Sequence, residues 1–411
     1  MRKIKQIRFF SQIMHNTFSY QNINTGRQVE IDIIKAVSVV VFMILCHVYE
    51  YDTEGYTSTF SWVSDELLGG LAAPVFMFAM GFGMKYSRNH SLKSQYWRGV
   101  KLLTYGQLLN IFRYAIPNQL HWVITGDESY LVSHALNFSS DIMQFAGLSF
   151  LLVTLTWQLK FSSSMTLLLA VLMSLIGNVL EGVQTDCYAF DQLLGVFWGT
   201  ETESYFPLFN WFLFVAAGKM FGKWYKRLAD KERFYAISAP ISALCFAGFI
   251  YVTSSTDPGL FRFHEVTHHG FCWMRLPDVL ACISCFPVMF GICYWISLAL
   301  PEKTLRYVCH PSVYVNQYYN LSWVLIMFVP FFYVGTNDWQ HVLIWLIVML
   351  FTILGVVAYN KWFRTQLETF FGHHPYFWTA VVWIVSLSFA IYAFVTYSSF
   401  PNEFNGNTSS C

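Results

Sequence analysis

The chain has 411 residues, of which 55% are hydrophobic and only 12% are charged. Soluble domains carry about 25% charged residues, so this composition excludes a mainly water-facing surface, and with it a disordered or collagen-like chain. The 25 basic and 24 acidic side chains leave a net charge of +1, which excludes nucleic acid as a partner because no basic excess is present to neutralise phosphates. The sequence therefore predicts a protein whose main partner is the lipid bilayer.

Residues 1–28 precede the first apolar segment and are rich in basic and bulky apolar side chains. They contain no continuous apolar run, which argues against a signal peptide. Alternating Lys, Arg, Ile and Phe favour a cytoplasmic amphipathic arm that rests on lipid headgroups. A disordered tail is the alternative interpretation.

Eleven apolar segments follow, and each is close to the roughly 20 residues that cross a bilayer as an α-helix. They lie near 31–50, 67–86, 99–117, 141–159, 164–182, 205–222, 235–254, 278–300, 313–334, 340–359 and 376–397. Because polar residues interrupt several segments, ten to twelve spans fit the pattern. We predict an all-α, polytopic helical bundle that forms a single transmembrane domain over 29–398, followed by a short tail, 399–411.

Charges alternate between the connections of these segments. Lys and Arg collect before the first segment and in every second connection, whereas Asp and Glu collect in the others; only Arg113, Arg262 and Arg275 break the pattern. The positive-inside rule then predicts a cytoplasmic N-terminus and, for eleven spans, an external C-terminus. We expect a multi-pass protein of a bacterial inner membrane, with an organellar membrane as the alternative and a homo-oligomer left open.

Ionisable residues inside a membrane span are costly and therefore mark candidate sites. Asp32 and Lys35 stand three residues apart near the cytoplasmic end of the first segment, so they share a helix face. A structural ion pair is the alternative to a functional one. His47 lies near the outer end of the same segment, and its imidazole can accept a proton from a hydroxyl or an amine near neutral pH. For His47 the alternative is a structural hydrogen bond.

Further polar residues predict a polar core between the helices. They are Gln107, Asn110 and Arg113 in the third segment, Gln144 in the fourth and Asn316 in the ninth. The first three share one stripe of their helix. Arg113 is a basic residue on the outer side, so we expect it to bind an anion or to pair with Asp127 or Asp141. Interhelical hydrogen bonds are the alternative role for the amides.

The outer loop after the seventh segment contains His264, Glu265 and His268, which match the HExxH signature of zinc proteases. That signature needs a helix and a third ligand, whereas this stretch reads as a short loop, so we expect no metal and keep a metalloprotease as the least favoured alternative. His268 and His269 are candidates for hydrogen bonds to an acceptor substrate. A solvated loop is the alternative.

Six stretches resemble the transmembrane acyltransferases, a group that includes the heparan-alpha-glucosaminide N-acetyltransferase-like proteins and the bacterial acyltransferase family 3. They are EIDIIKAVSVVVFMILCHV, APVFMFAMGFGMKYS, RGVKLLTYGQLLNIFRY, DIMQFAGLSFLL, YFPLFNWFLFVAAGKMFGKW and VNQYYNLSWVLI, within residues 27–335. The register differs, because family 3 has a basic residue eleven positions before its essential His, whereas Lys35 precedes His47 by twelve. The heparan-type enzymes carry their active His in the loop after this helix, and residues 51–66 contain none.

The resemblance implies an acyltransferase that moves an acyl group, here expected to be acetyl, from cytoplasmic acyl-CoA to a hydroxyl or amino group of a glycan or glycolipid at the outer face, as in O-acetylation. His47 would be the general base. Asp32 and Lys35 would hold the cytoplasmic half of the path, and Arg98 and Lys101 would meet the phosphates of CoA. The stripe of Gln107, Asn110 and Arg113 would position donor or acceptor. A non-enzymatic transporter or flippase is the alternative function.

Overall fold

The computed structural model describes residues 17–52, 60, 63–87, 91–127, 140–185, 188–200, 204–255, 272–329 and 337–397. Helices take up 84% of these described residues, which contain no β-strand. This confirms the predicted all-α class. The loop with His268 and His269, and residues 1–16, lie outside the described part of the chain.

Fourteen helices are described. They are α1 (29–52), α2 (63–86), α3 (92–125), α4 (Ile142–Gln158), α5 (Ser163–Leu180), α6 (Tyr188–Gly195), α7 (Leu208–Tyr225), α8 (Lys231–Ser255), α9 (Leu276–Ala299), α10 (Glu302–Val308), α11 (His310–Val313), α12 (Val315–Phe328), α13 (Asp338–Gly372) and α14 (Pro375–Tyr397).

Each of the eleven predicted segments overlaps one of these helices, and residues 330–334 of the ninth lie outside the described part of the chain. Within the described residues, five helices are long and apolar enough to cross a membrane by themselves, namely Val29–Val48 within α1, α5, Lys231–Val252 within α8, α9 and α13. The chain is thus an integral membrane protein, and the count of eleven spans stays a prediction. Helix α13 continues to Gly372, beyond the predicted end at 359, and its extension carries an exposed Arg364–Glu368 pair at 2.8 Å that supports the added turns.

Helices α2 and α7 form the closest packed pair at the centre. A Cβ at Gly81 would lie 2.0 Å from the carbonyl oxygen of Val215, and one at Gly218 would lie 2.0 Å from that of Phe78. Only glycine at both positions permits this backbone approach. Helix α1 packs on α2 and on α9, and 61% of its most apolar 18 residues are buried, against 17% for α8 at the periphery.

Residues 17–28 form a strap across the basic ends of the helices. The Ser19 amide donates to the Arg227 carbonyl at 2.7 Å, and the Asn24 amide donates to the Lys226 carbonyl at 2.9 Å. The Tyr86 hydroxyl donates to the Asn24 carbonyl at 2.8 Å. The part of the predicted arm that the structure describes is therefore fixed to the turn between α7 and α8.

Candidate functional site

A polar and aromatic cluster lies where α1, α3, α4 and α12 converge. We define it as His47, Arg113, Asp141, Tyr319 and Trp323. In α1 a π-helical turn spans Ser38–Met43, one turn before His47, and in α3 another spans Ile111–Ala115 and contains Arg113. Such turns shift the direction of the side chains that follow and are frequent at functional sites. Here they turn His47 and Arg113 toward the same neighbour on α12.

A buried ion pair is the electrostatic centre of this cluster. Arg113 Nη1 lies 2.7 Å from Asp141 Oδ2, and the two side chains are 2% and 6% exposed. Asn110 Oδ1 accepts a longer bond, 3.3 Å, from Arg113 Nη2, and the Tyr319 hydroxyl donates to Asp141 at 3.0 Å. Of the two carboxylate partners expected for Arg113, the structure has Asp141. A buried charge needs such partners, since losing one leaves the other without compensation.

Asp141 also determines where α4 begins. Its Oδ1 accepts from the Ile142 amide at 2.6 Å, and the Gln144 side chain accepts from the Asp141 amide at 3.3 Å. This capping arrangement satisfies backbone donors that the first helical turn leaves without partners. The carboxylate is consequently fixed both by the helix that it caps and by the cation that it pairs with.

Aromatic contacts hold the imidazole. The His47 ring stacks on the Trp323 indole, with centroids 3.8 Å apart and planes inclined by 29°. Tyr319 meets the same imidazole edge-on at 6.4 Å. The Arg113 guanidinium lies 4.4 Å from the centroid of the Trp323 ring, a cation–π contact. Trp323 therefore contacts both His47 and the ion pair, while His47 Nδ1 is enclosed without a hydrogen-bond partner among the described residues.

The remaining predicted core residues are distributed around this cluster. Gln107 is buried with its Oε1 unpaired in the described structure, and Gln144 Nε2 is in the same state. A Cβ at Gly106 would come within 2.6 Å of the Gln144 side chain, so glycine lets α3 approach α4 there. Asn316 is half-buried and shares a helix face with Tyr319 and Trp323 by its spacing.

The opposite end of α1 has a different arrangement. Asp32 accepts from Arg27 at 2.5 Å and from Ser312 at 2.5 Å, and Lys35 lies 3.4 Å away, as its i, i+3 spacing predicts. The hydrogen bond to Asp32 raises the pKa of the Arg27 guanidinium. A cavity of about 270 Å³ opens beside these charges, with Phe82 and Tyr86 in its wall. Two cations and one carboxylate thus line an accessible, net-positive cavity.

Two predicted phosphate-binding residues lie elsewhere on the surface. Arg98 is exposed on α3 with its guanidinium 4.6 Å from the Phe150 ring. Lys101 is also exposed, and its ammonium lies 5.8 Å from the Trp97 ring. Neither lines the cavity beside Asp32. The structure therefore separates the two sets of basic residues that the sequence assigns to the cytoplasmic side.

The sequence did not predict a role for Glu30, Tyr319 or Trp323. Glu30 is 2% exposed, pairs with Lys231 at 2.7 Å and accepts from the Tyr225 hydroxyl, so it connects α1 to α7 and α8. Tyr319 and Trp323 were also missed as site residues. Their spacing from Asn316, three and seven residues along VNQYYNLSW, was the available signal, because it puts all three on one face.

The comparison with known families decides the assignment. The family model described as heparan-alpha-glucosaminide N-acetyltransferase, catalytic, matches residues 27–255, which is more than half of the chain. The chain belongs to this family. No curated protein and no solved structure gives a significant match.

Membership of the acetyltransferase family makes the chain a membrane acetyltransferase in general terms. The matched range runs from Arg27 to the end of α8 and includes His47, Arg113 and Asp141. Tyr319 and Trp323 lie beyond it. The residues that contact the imidazole from α12 are therefore contributed by a part of this chain that the family model does not match.

Proposed function

We propose that the protein transfers an acetyl group from cytoplasmic acetyl-CoA to a hydroxyl or amino group of a glycan or glycolipid at the outer face. The observation that carries the proposal is His47 stacked on Trp323 beside a buried ion pair, at one end of a helix whose other end borders a cationic cavity. The positions 32 and 47 are separated by about 22 Å along an α-helix. The donor therefore binds at one end of α1, and the acceptor reacts at the other end.

His47 is the proposed general base. As the acceptor oxygen or nitrogen attacks the thioester carbonyl, the imidazole takes the acceptor's proton and the thiolate of CoA leaves. Return of that proton to the thiolate gives free CoA and the acetylated product. In a covalent alternative, an imidazole nitrogen of His47 attacks the thioester and the thiolate leaves; the acceptor then attacks the acetyl-imidazole, and the released imidazole takes the acceptor's proton.

The flanking polar side chains have proposed supporting roles. Gln107, Asn110, Arg113, Gln144 and Asn316 maintain the polar path between the helices, because their amides and the ion pair give donors and acceptors inside an apolar bundle. Asp32 and Lys35 hold the donor end. His268 and His269, outside the described residues, are proposed to contact the acceptor, and Arg98 and Lys101 are proposed as further contacts for CoA phosphates.

The decisive experiment uses the purified protein in nanodiscs with radiolabelled acetyl-CoA and candidate glycan acceptors. We expect CoA release that depends on the acceptor, and a loss of about 10²–10⁴-fold in kcat/KM for His47→Ala. The control is His373→Ala, at an exposed histidine of the α13–α14 connection. Full turnover by His47→Ala would remove the base from the proposal. Acceptor flux without thioester cleavage would replace it with a transporter.

The proposed topology has eleven spans, a cytoplasmic N-terminus and an external C-terminus in a bacterial inner membrane. The alternating charges of the connections support it. Single cysteines in a cysteine-free background test it with an impermeant maleimide on intact cells. Val183→Cys, after α5, should react, and Lys160→Cys, before α5, should react only after lysis. The reverse pattern would invert the topology.

A further inference from the structure

A groove of about 390 Å³ lies between α8 and α9. Its walls are almost wholly apolar and include Phe18, Phe234, Ile237, Ile241, Cys245 and Pro287. Ile237 and Ile241 are 38% and 54% exposed. An apolar groove of this kind on a membrane protein is a place for lipid chains.

The length of the groove matches one leaflet of a bilayer. On α8 the lining recurs from Phe234 to Cys245 along one helix face, a rise of about 16 Å. Half of the hydrocarbon core measures about 15 Å. The groove therefore has the reach of a single acyl chain that begins at the membrane surface and ends near the midplane.

Positive charge surrounds the end of the groove that lies at the strap. The stretch 223–233 carries Lys223, Lys226, Arg227, Lys231 and Arg233 against two acids. Lys231 is bonded to Glu30. Arg227 is exposed and Arg233 half-exposed, and among the described residues neither forms an ion pair.

Both arginines are adjacent to the lining. The carbonyl of Arg227 accepts from Ser19, next to Phe18, and Arg233 immediately precedes Phe234 and lies one helical turn before Ile237. Guanidinium groups bind phosphate in bidentate fashion, and basic pockets between helices recognise anionic lipid headgroups.

We propose that this groove binds one anionic phospholipid of the leaflet at the basic side, with an acyl chain between α8 and α9 and its phosphate at Arg227 and Arg233. The inference does not depend on the acetyltransferase chemistry. The bound lipid covers the face of the peripheral helix α8 that the described part of the protein leaves exposed. Binding in the groove also puts the lipid against Phe18, so the bound lipid stabilises the strap that borders the cavity beside Asp32.

Native mass spectrometry of the full-length protein, with phosphatidylglycerol or phosphatidylcholine of identical chains, tests the headgroup. We expect tighter retention of phosphatidylglycerol. The Arg227→Gln/Arg233→Gln variant should bind it roughly thirtyfold more weakly, at about fivefold for each basic residue near a membrane surface, with a smaller loss for phosphatidylcholine, whose choline offsets the charge of its phosphate. Equal retention of the two lipids by the unmodified protein would overturn the proposal.

Substitutions that fill the groove with a larger side chain test whether the acyl chain binds there. Ile241→Trp should lower the binding of both lipids, while Ala243→Trp, at an exposed position on the opposite face of the same helix, should leave both unchanged. A benzoylphenylalanine in place of Ile241, photolysed in native membranes, should give a lipid adduct. A crosslink to residues 1–16 or to a second copy of the chain would show a different occupant and reject the lipid.

Discussion

The two ends of α1 carry opposite kinds of polar site. At the His47 end, the imidazole lies against Trp323, and the neighbouring Arg113–Asp141 pair is removed from solvent. At the Asp32 end, Arg27 pairs with Asp32 while its own side chain is 59% exposed, and a cavity opens beside the pair. The same helix thus ends in a desolvated, closely packed cluster on one side and in an accessible cationic cavity on the other.

This difference in solvent exposure determines which function each end of α1 can have. Fixed dipoles and charges in a dry environment hold a reacting group in one orientation without reorganisation. An accessible cationic surface attracts an anion and releases it, because water screens the interaction. The His47 cluster is therefore suited to chemistry, and the cavity beside Asp32 is suited to reversible binding of an anion.

The largest expected effect comes from separating the buried ion pair. We expect Arg113→Met to lower the free energy of unfolding by about 3–5 kcal/mol, because Asp141 is then a buried charge without its cation. The double variant Arg113→Met/Asp141→Asn, which removes both charges and keeps a side-chain oxygen to cap α4, should recover most of that loss. Thermal unfolding in nanodiscs measures both.

The matched control for this prediction is Arg27→Met at the Asp32 end of α1. Its ion pair with Asp32 is solvent-accessible, so we expect a change below about 1 kcal/mol. Equal destabilisation by Arg27→Met and Arg113→Met would mean that the two ends do not differ in solvation as the comparison requires.

The next effect concerns the Trp323 indole, which stacks on the proposed base. Trp323→Leu removes the stacking surface of His47, and we expect kcat to fall about a hundredfold while KM for acetyl-CoA stays constant, because a small misplacement of a reacting group has costs of this size. Trp323→Phe should retain most of the rate. Trp339→Leu, at an 83% exposed position, is the control, and an unchanged kcat in Trp323→Leu would contradict the orienting role.

A smaller effect is expected from Tyr319→Phe, which deletes one hydrogen bond to Asp141 and keeps the ion pair. A hydrogen bond to a charged group contributes roughly 1.5–3 kcal/mol, so the loss of stability should fall below that of Arg113→Met. Thermal unfolding of the two variants side by side checks the order. If Tyr319→Phe destabilises the protein more than Arg113→Met does, the Asp141 carboxylate depends more on the Tyr319 hydroxyl than on the Arg113 guanidinium.

The sequence was sufficient for the class of fold because apolar segments of membrane-spanning length are a direct physical signal. Each predicted segment overlaps a described helix, and Asp32 and Lys35 pair as their spacing requires. Helix α13 extends thirteen residues past the predicted span, since exposed amphipathic turns such as the Arg364–Glu368 pair extend a helix without adding hydropathy.

The site was predictable only where its residues share a helix. The shared helix face of Asn110 and Arg113 was predicted from helical periodicity, and Asp141 was predicted as a carboxylate partner for Arg113. Trp323 and Tyr319 are distant in the chain, and an aromatic residue in an apolar segment predicts burial rather than a role. The π-helical turns that direct His47 and Arg113 have no counterpart in a regular 3.6-residue period.

The last prediction examines the accessible end. We expect Arg27→Gln/Lys35→Gln to raise KM for acetyl-CoA about tenfold and to leave kcat unchanged, because charge-assisted contacts to phosphate act on binding alone when they are remote from the thioester. The salt dependence of KM should weaken as well.

Two comparisons make this prediction specific. Lys361→Gln, at an exposed position of α13, controls for surface charge, and Arg98→Gln/Lys101→Gln tests the other set of basic residues on the same side. If only the α3 variant raises KM, CoA binds along α3 and the cavity beside Asp32 has another ligand. If Arg27→Gln/Lys35→Gln lowers kcat instead, the residues at the Asp32 end of α1 take part in the chemistry. The proposed separation of donor binding and catalysis between the two ends of α1 is then wrong.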